Sequence, residues 1–126
     1  MKLHADQPNA QTVTAYGEAW VAINGERHTS SVLLSSTGEK QAWDCHRFED
    51  LSAAHFELLA AVTEQAPELV LFGSGVRLRF VHPALLQVLI ARGIGVETMD
   101  TPAACRTFNI LAGEGRRVVA ALLLET

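Results

Sequence analysis

Two short stretches carry the residue types that could hold a ligand. Gly73-Ser74-Gly75 directly follows the all-apolar run Leu69-Val-Leu-Phe72, and glycines in that position let backbone N–H groups face an anion or a small molecule. The triplet lacks the third glycine of a dinucleotide fingerprint and the lysine of a phosphate loop, and no helix starts straight after it. A plain tight turn is therefore the competing expectation. The second stretch runs from Met99 to Leu111. Asp100 and Thr101 stand at the expected start of a helix. Ala104, Phe108 and Leu111 share its inner face, Arg106 and Asn109 share the opposite one, and Cys105 falls on the flank. Gly73, Ser74, Gly75, Asp100, Thr101, Arg106 and Asn109 together outline a crevice outside the strand ends, where open α/β sheets bind their ligands. Arg106 or Arg79 would hold an anionic group there. Alternatively, Asp100 and Thr101 only cap the helix.

A reaction centre is harder to assemble. Cys105 would need a nearby base or a lowered pKa to act as a nucleophile, and the spacing pairs it with no histidine, so inert packing is expected. His4, His28, His46, His55 and His82 show no metal-ligand spacing, and Cys45-His46 are adjacent rather than three or four apart. No catalytic residue, metal or cofactor is expected. Cys45 and Cys105 lack CxxC spacing and are read as thiols.

The elements that must position the crevice are legible from period and punctuation. Trp20-Val-Ala-Ile23, then Asn24-Gly25, then a return through Arg27 and His28 read as a β-hairpin. Ser31–Ser36 and Gln41–Trp43 read as further strands of an antiparallel N-terminal layer. From Asp50 the period becomes helical, with Leu51, Ala54, His55, Leu58 and Val62 on one stripe. Leu69–Phe72 is a strand buried on both faces. A helix from Pro83 to Arg92, stopped by Gly93, leads to a strand Gly95–Met99. A crossover of this length makes those two strands parallel neighbours. A helix from about Pro102 to Ala112 and a strand Val118–Leu124 close the chain.

At 126 residues, with 48% hydrophobic and 19% charged residues, the chain fits one domain over residues 1–126 with its own core and is not a disordered segment. No apolar run reaches the roughly 20 residues of a membrane-spanning helix. The opening MKLHADQPNAQ lacks a secretory h-region and the Arg-rich character of a transit peptide, so a cytoplasmic location is expected. Net charge is −4, and the basic residues form no dense patch. That argues against nucleic acid as a partner.

Leu71-Phe-Gly-Ser-Gly75, Gly93-Ile-Gly-Val-Glu97, Met99-Asp-Thr101, Ala104, Arg106-Thr-Phe-Asn109 and Glu114-Gly-Arg116, with a small-residue apolar strand after them, resemble a domain-of-unknown-function family. It comprises small bacterial and archaeal proteins and the mitochondrial respiratory complex I assembly factor 3. The resemblance runs from about Val32 to Leu124. It implies a three-layer α/β fold with a mixed central sheet, a β-hairpin layer beside it and a last strand antiparallel to the others. It implies no agreed reaction or cofactor. The expected function is a non-catalytic interaction or assembly module with protein partners. The alternative is a binding protein or enzyme for an anionic small molecule in the Gly73–Thr101 crevice, and a third is a structural subunit of a homo-oligomer.

Overall fold

The structure, a computed structural model, describes residues 10–125. Asn24 and Gly25 both take positive φ (50° and 85°), the geometry that lets a two-residue turn follow the twist of its strands. Around that turn, β1 (Val13–Gly17), β2 (Trp20–Ile23) and β3 (Glu26–His28) form a three-stranded antiparallel sheet. The remaining strands are β4 (Val32–Ser35), β5 (Lys40–Ala42), β6 (Leu69–Gly73), β7 (Gly95–Met99) and β8 (Val118–Leu122). They build a second sheet in the order β5-β4-β8-β6-β7. As the crossover requires, β6 and β7 are parallel neighbours, with Leu69 opposite Gly95 and Gly73 opposite Met99.

One expectation about direction is corrected. The last strand, β8, is antiparallel only to β4 and runs parallel to β6. The chain leaves β7, passes through α3 (Thr101–Gly113) and re-enters the sheet from the same end, so β8 shares the direction of β6 and β7. The reversal falls at β4, which is joined to β5 in a hairpin.

Successive residues of the central strands face opposite sides, and both sides are apolar. Leu33, Val70, Phe72, Val119, Ala121 and Leu123 meet Trp43, Phe56, Leu59 and Leu89 on one side. Val32, Leu34, Leu71, Val118, Ala120 and Leu122 meet Ala104, Cys105 and Phe108 of α3, together with Val13, Val21 and Ile23 of the small sheet, on the other. The result is three layers, with each fully buried Leu, Val or Phe contributing about 1.5–3 kcal/mol. Cys105 is wholly buried rather than on the flank, and both cysteines are free.

The helical segment after Asp50 departs from the expected stripe. It forms a 3₁₀ turn (Phe48–Asp50), α1 (Ala53–Glu57) and a second 3₁₀ turn (Leu58–Ala61). Leu51, Phe56, Leu59 and Ala60 point inward, while Leu58 is 39% exposed. Three residues per turn at both ends shift the phase that a 3.6-residue period extrapolates. His55 helps close the start of α1. Its Nδ1 accepts from the Ser52 backbone N–H at 3.0 Å, and its Nε2 lies 2.8 Å from the Asp44 carbonyl. The layer is completed by a 3₁₀ turn (Pro83–Leu86) that runs into α2 (Gln87–Ala91), with the His82 imidazole accepting from the Ala84 N–H.

Candidate functional site

The crevice is a clasp between the end of β6 and the start of α3. Gly73 is required by the close approach of the helix, because a Cβ there would lie 2.9 Å from the Thr101 Cα. The Ser74 N–H donates to the Met99 carbonyl and the Thr101 N–H to the Gly75 carbonyl, both at 2.8 Å. The buried Thr101 hydroxyl accepts from the Gly75 N–H and donates to the Leu123 carbonyl, both at 2.9 Å. One side chain thus ties β6, α3 and the chain end together. Ser74, also buried, donates its hydroxyl to the Arg77 carbonyl and accepts from the Arg79 N–H.

An anion at the α3 N-terminus would need free N–H groups. In the first turn, the Thr101 N–H is bound to Gly75, Pro102 has none, and Ala103 and Ala104 donate to the Asp100 side chain and carbonyl. All four positions are satisfied within the chain.

Of the seven residues expected to line the crevice, five come together: Gly73, Ser74, Gly75, Asp100 and Thr101. Arg106 and Asn109 turn toward β1 instead. The Asn109 amide accepts from the Val13 N–H at 3.0 Å and donates to the Val13 carbonyl at 2.8 Å, as a neighbouring strand would. Arg106 donates to the Tyr16 hydroxyl at 2.7 Å with its guanidinium 5.8 Å from that ring. The cavity that remains is about 190 Å³, bounded by Glu18 and Ala19 of the β1–β2 turn, Gly75, Val76, Thr101 and Leu124. This is below the roughly 300–1,000 Å³ of small-molecule sites. A roomier cleft of about 500 Å³ lies at the opposite end of the sheet. Most of its polar groups are paired internally: Glu39 with Ser35 and Thr37, Ser36 with Arg116 and Val118, and Arg117 with Glu68.

The segment leaving the clasp, Val76-Arg-Leu-Arg-Phe80, has no regular secondary structure and exposes its three apolar side chains together with Arg77, while only Arg79 turns inward. Val76, Leu78 and Phe80 are 60%, 51% and 70% exposed. Arg79 folds inward, donating to the Ser74 carbonyl at 2.6 Å and to the Glu125 carboxylate at 2.5 Å, with its guanidinium 4.5 Å over the Phe48 ring. The anionic partner that Arg79 would need from a ligand is thus already supplied by the Glu125 carboxylate. Glu125 also accepts from the Phe48 N–H at 2.8 Å.

Burial raises the Glu125 carboxyl, but the bonds from Arg79 and Phe48 outweigh it and hold the pKa below the ordinary value of 4.5. A depressed carboxylate stabilises the fold fully above its unfolded pKa, and that contribution is lost as pH falls through the folded value. Urea midpoints of the wild type and Glu125→Gln, followed downward from neutral pH, should therefore differ most at neutrality. The gap should narrow in the acid range below 4.5.

Spacing did not reveal the outward row Val76, Leu78, Phe80, although strict apolar–basic alternation was its signal.

Three layers, a mixed five-stranded sheet and an antiparallel β layer beside α3 define a small α/β domain of the kind described for a Bordetella pertussis protein as a Mth938-like domain. That solution structure is 37% identical with a TM-score of 0.80, covering 99% of this chain and 93% of that one. A crystal structure of a Bordetella parapertussis protein is 40% identical with a TM-score of 0.85, covering 92% and 97%. The chain belongs to the family described as protein of unknown function (DUF498/DUF598), which it matches over residues 13–123. It is also 34% identical, over 121 residues and 96% of its length, to the bovine NADH dehydrogenase [ubiquinone] 1 alpha subcomplex assembly factor 3. It spans about 65% of that relative's length. The resemblance read from the sequence is thus borne out. Among the described residues, no helix is long and apolar enough to cross a membrane.

Proposed function

We propose that this chain is a single-domain, non-catalytic, cytoplasmic interaction module that helps assemble a protein complex, of the respiratory kind for which its assembly-factor relatives are named. The observation that carries this reading is the inverted segment: three large apolar side chains face water while the arginine between two of them, half-buried, folds inward onto a carboxylate. Exposed apolar side chains grouped on one segment mark a docking surface more often than scattered ones do. A chain without a partner for this segment would gain by reversing the alternation. Gly73, Ser74, Gly75, Asp100 and Thr101 hold the base of the row, and the small cavity beside Val76 provides a recess for a partner side chain. Arg106 and Asn109 support the module by fastening β1 to α3.

The test is a photo-crosslinking amino acid placed at Phe80 and irradiated in the native host. A discrete adduct with another protein is expected at position 80. The same adduct pattern from a probe at the exposed Thr29 would contradict the reading.

A further inference from the structure

The two sheets leave four outer strands, β1 and β3 in the small sheet and β5 and β7 in the large one. Exposed edges invite pairing with other chains, and proteins blunt them with charge, irregular register or short length. Three of these edges are blunted. The register of β1 slips between Val13 and Ala15, and Asn109 already occupies the backbone of Val13. β3 and β5 are three residues each and are bridged by Lys40 Nζ donating to Glu26 Oε1 at 3.0 Å. β7 differs. It is five residues long, Gly-Val-Glu-Thr-Met, and its single charged side chain is Glu97.

The direction of its free backbone groups follows from the ladder. The Gly95 N–H donates to the Glu68 carbonyl at 3.1 Å, and the Met99 carbonyl accepts from the Ser74 N–H at 2.8 Å. Residues 95, 97 and 99 therefore bond toward β6, and strand alternation turns the N–H and C=O of Val96 and Thr98 outward. Among the described residues these four groups have no hydrogen-bond partner. Glu97 is exposed and makes no ion pair among the described residues.

We infer that β7 takes up an extended segment of a different protein by strand addition, with a lysine or arginine of that segment opposite Glu97. Main-chain bonds to Val96 and Thr98 supply the adhesion, and the charge selects the sequence. A second copy of this chain fits poorly. Two β7 strands paired in full register about a two-fold axis run antiparallel and bring Glu97 against Glu97, and like charges directly opposite are destabilising. The net charge of −4 on each copy adds to that repulsion. The inference is independent of the row at Val76–Phe80, which occupies a different segment.

The test uses the ¹⁵N-labelled chain and two capped seven-residue peptides, Thr-Val-Thr-Lys-Thr-Val-Thr and its counterpart with glutamate at the centre. The lysine peptide should slow amide exchange at Val96 and Thr98 by about tenfold or more at saturation. The glutamate peptide should bind at least about threefold more weakly. Glu97→Lys should reverse the preference, and because Glu97 is exposed and unpaired the variant stays folded. Unchanged exchange at Val96 and Thr98 with both peptides would overturn the inference, as would an unaltered preference in Glu97→Lys. Shifts confined to Val76–Phe80 would overturn it too, while leaving the proposed docking row standing. Protection of Val96 and Thr98 without peptide, alongside a dimer in sedimentation, would assign the edge to a second copy and also overturn it.

Discussion

Replacing Arg79 by methionine should lower the free energy of unfolding by about 2–3 kcal/mol, below the roughly 3–5 kcal/mol of a fully buried ion pair because both side chains keep some contact with water. Methionine keeps much of the apolar stem over Phe48 but leaves the Ser74 carbonyl and the Glu125 carboxylate without their donor. The double variant Arg79→Met, Glu125→Gln should be less destabilised than the sum of the single changes, because the charge stranded by the first is removed by the second. The effect should also be local. Amide exchange over residues 76–81 should quicken before the rest of the chain responds, since Arg79 is the inward anchor of a segment with no ladder of its own. Denaturant titration of the four cycle members measures the coupling. Strict additivity would mean that the Arg79–Glu125 bond does not hold the segment.

The second large effect is expected at Thr101. Thr101→Val keeps the shape of the side chain but deletes the hydroxyl that accepts from Gly75 and donates to Leu123. Two buried backbone groups then lose their partner, and each such loss costs about 1–3 kcal/mol. A total destabilisation of about 2 kcal/mol or more is expected. Thr101→Ser, which keeps both bonds, should recover most of it. A valine variant as stable as the wild type would show that the clasp between β6, α3 and the chain end does not depend on this hydroxyl.

The elements were legible wherever local chemistry decides structure. Asn24-Gly25 admits few conformations other than a tight hairpin turn. The apolar run Leu69–Phe72 and the crossover to Gly95–Met99 leave little choice but a parallel pair. Asp100 as a cap followed by Pro102 marks the start of α3, and the Asp100 side chain does accept from Ala103. What spacing cannot convey is which polar group finds which partner across the fold. Asn109 meets Val13, 96 residues away, and Arg79 meets Glu125, 46 residues away. These two distant partners decide the orientation of the candidate site. One draws Asn109 away from the crevice. The other reverses Val76–Phe80, whose alternation would otherwise bury its apolar side. The direction of β8 depends on its place between β4 and β6, an arrangement that the loop after α3 does not encode.

The central claim is that Val76, Leu78 and Phe80 form a docking row rather than a structural one, and the triple serine variant tests it most directly. Substitutions at exposed positions change stability by about 0.5 kcal/mol or less each, so the variant should unfold close to the wild type in urea. Complementation of a host lacking this chain, read as the amount of assembled respiratory complex on a native gel, should fail with the triple variant and succeed with wild type. A variant that folds like the wild type and restores the complex in full would contradict the account.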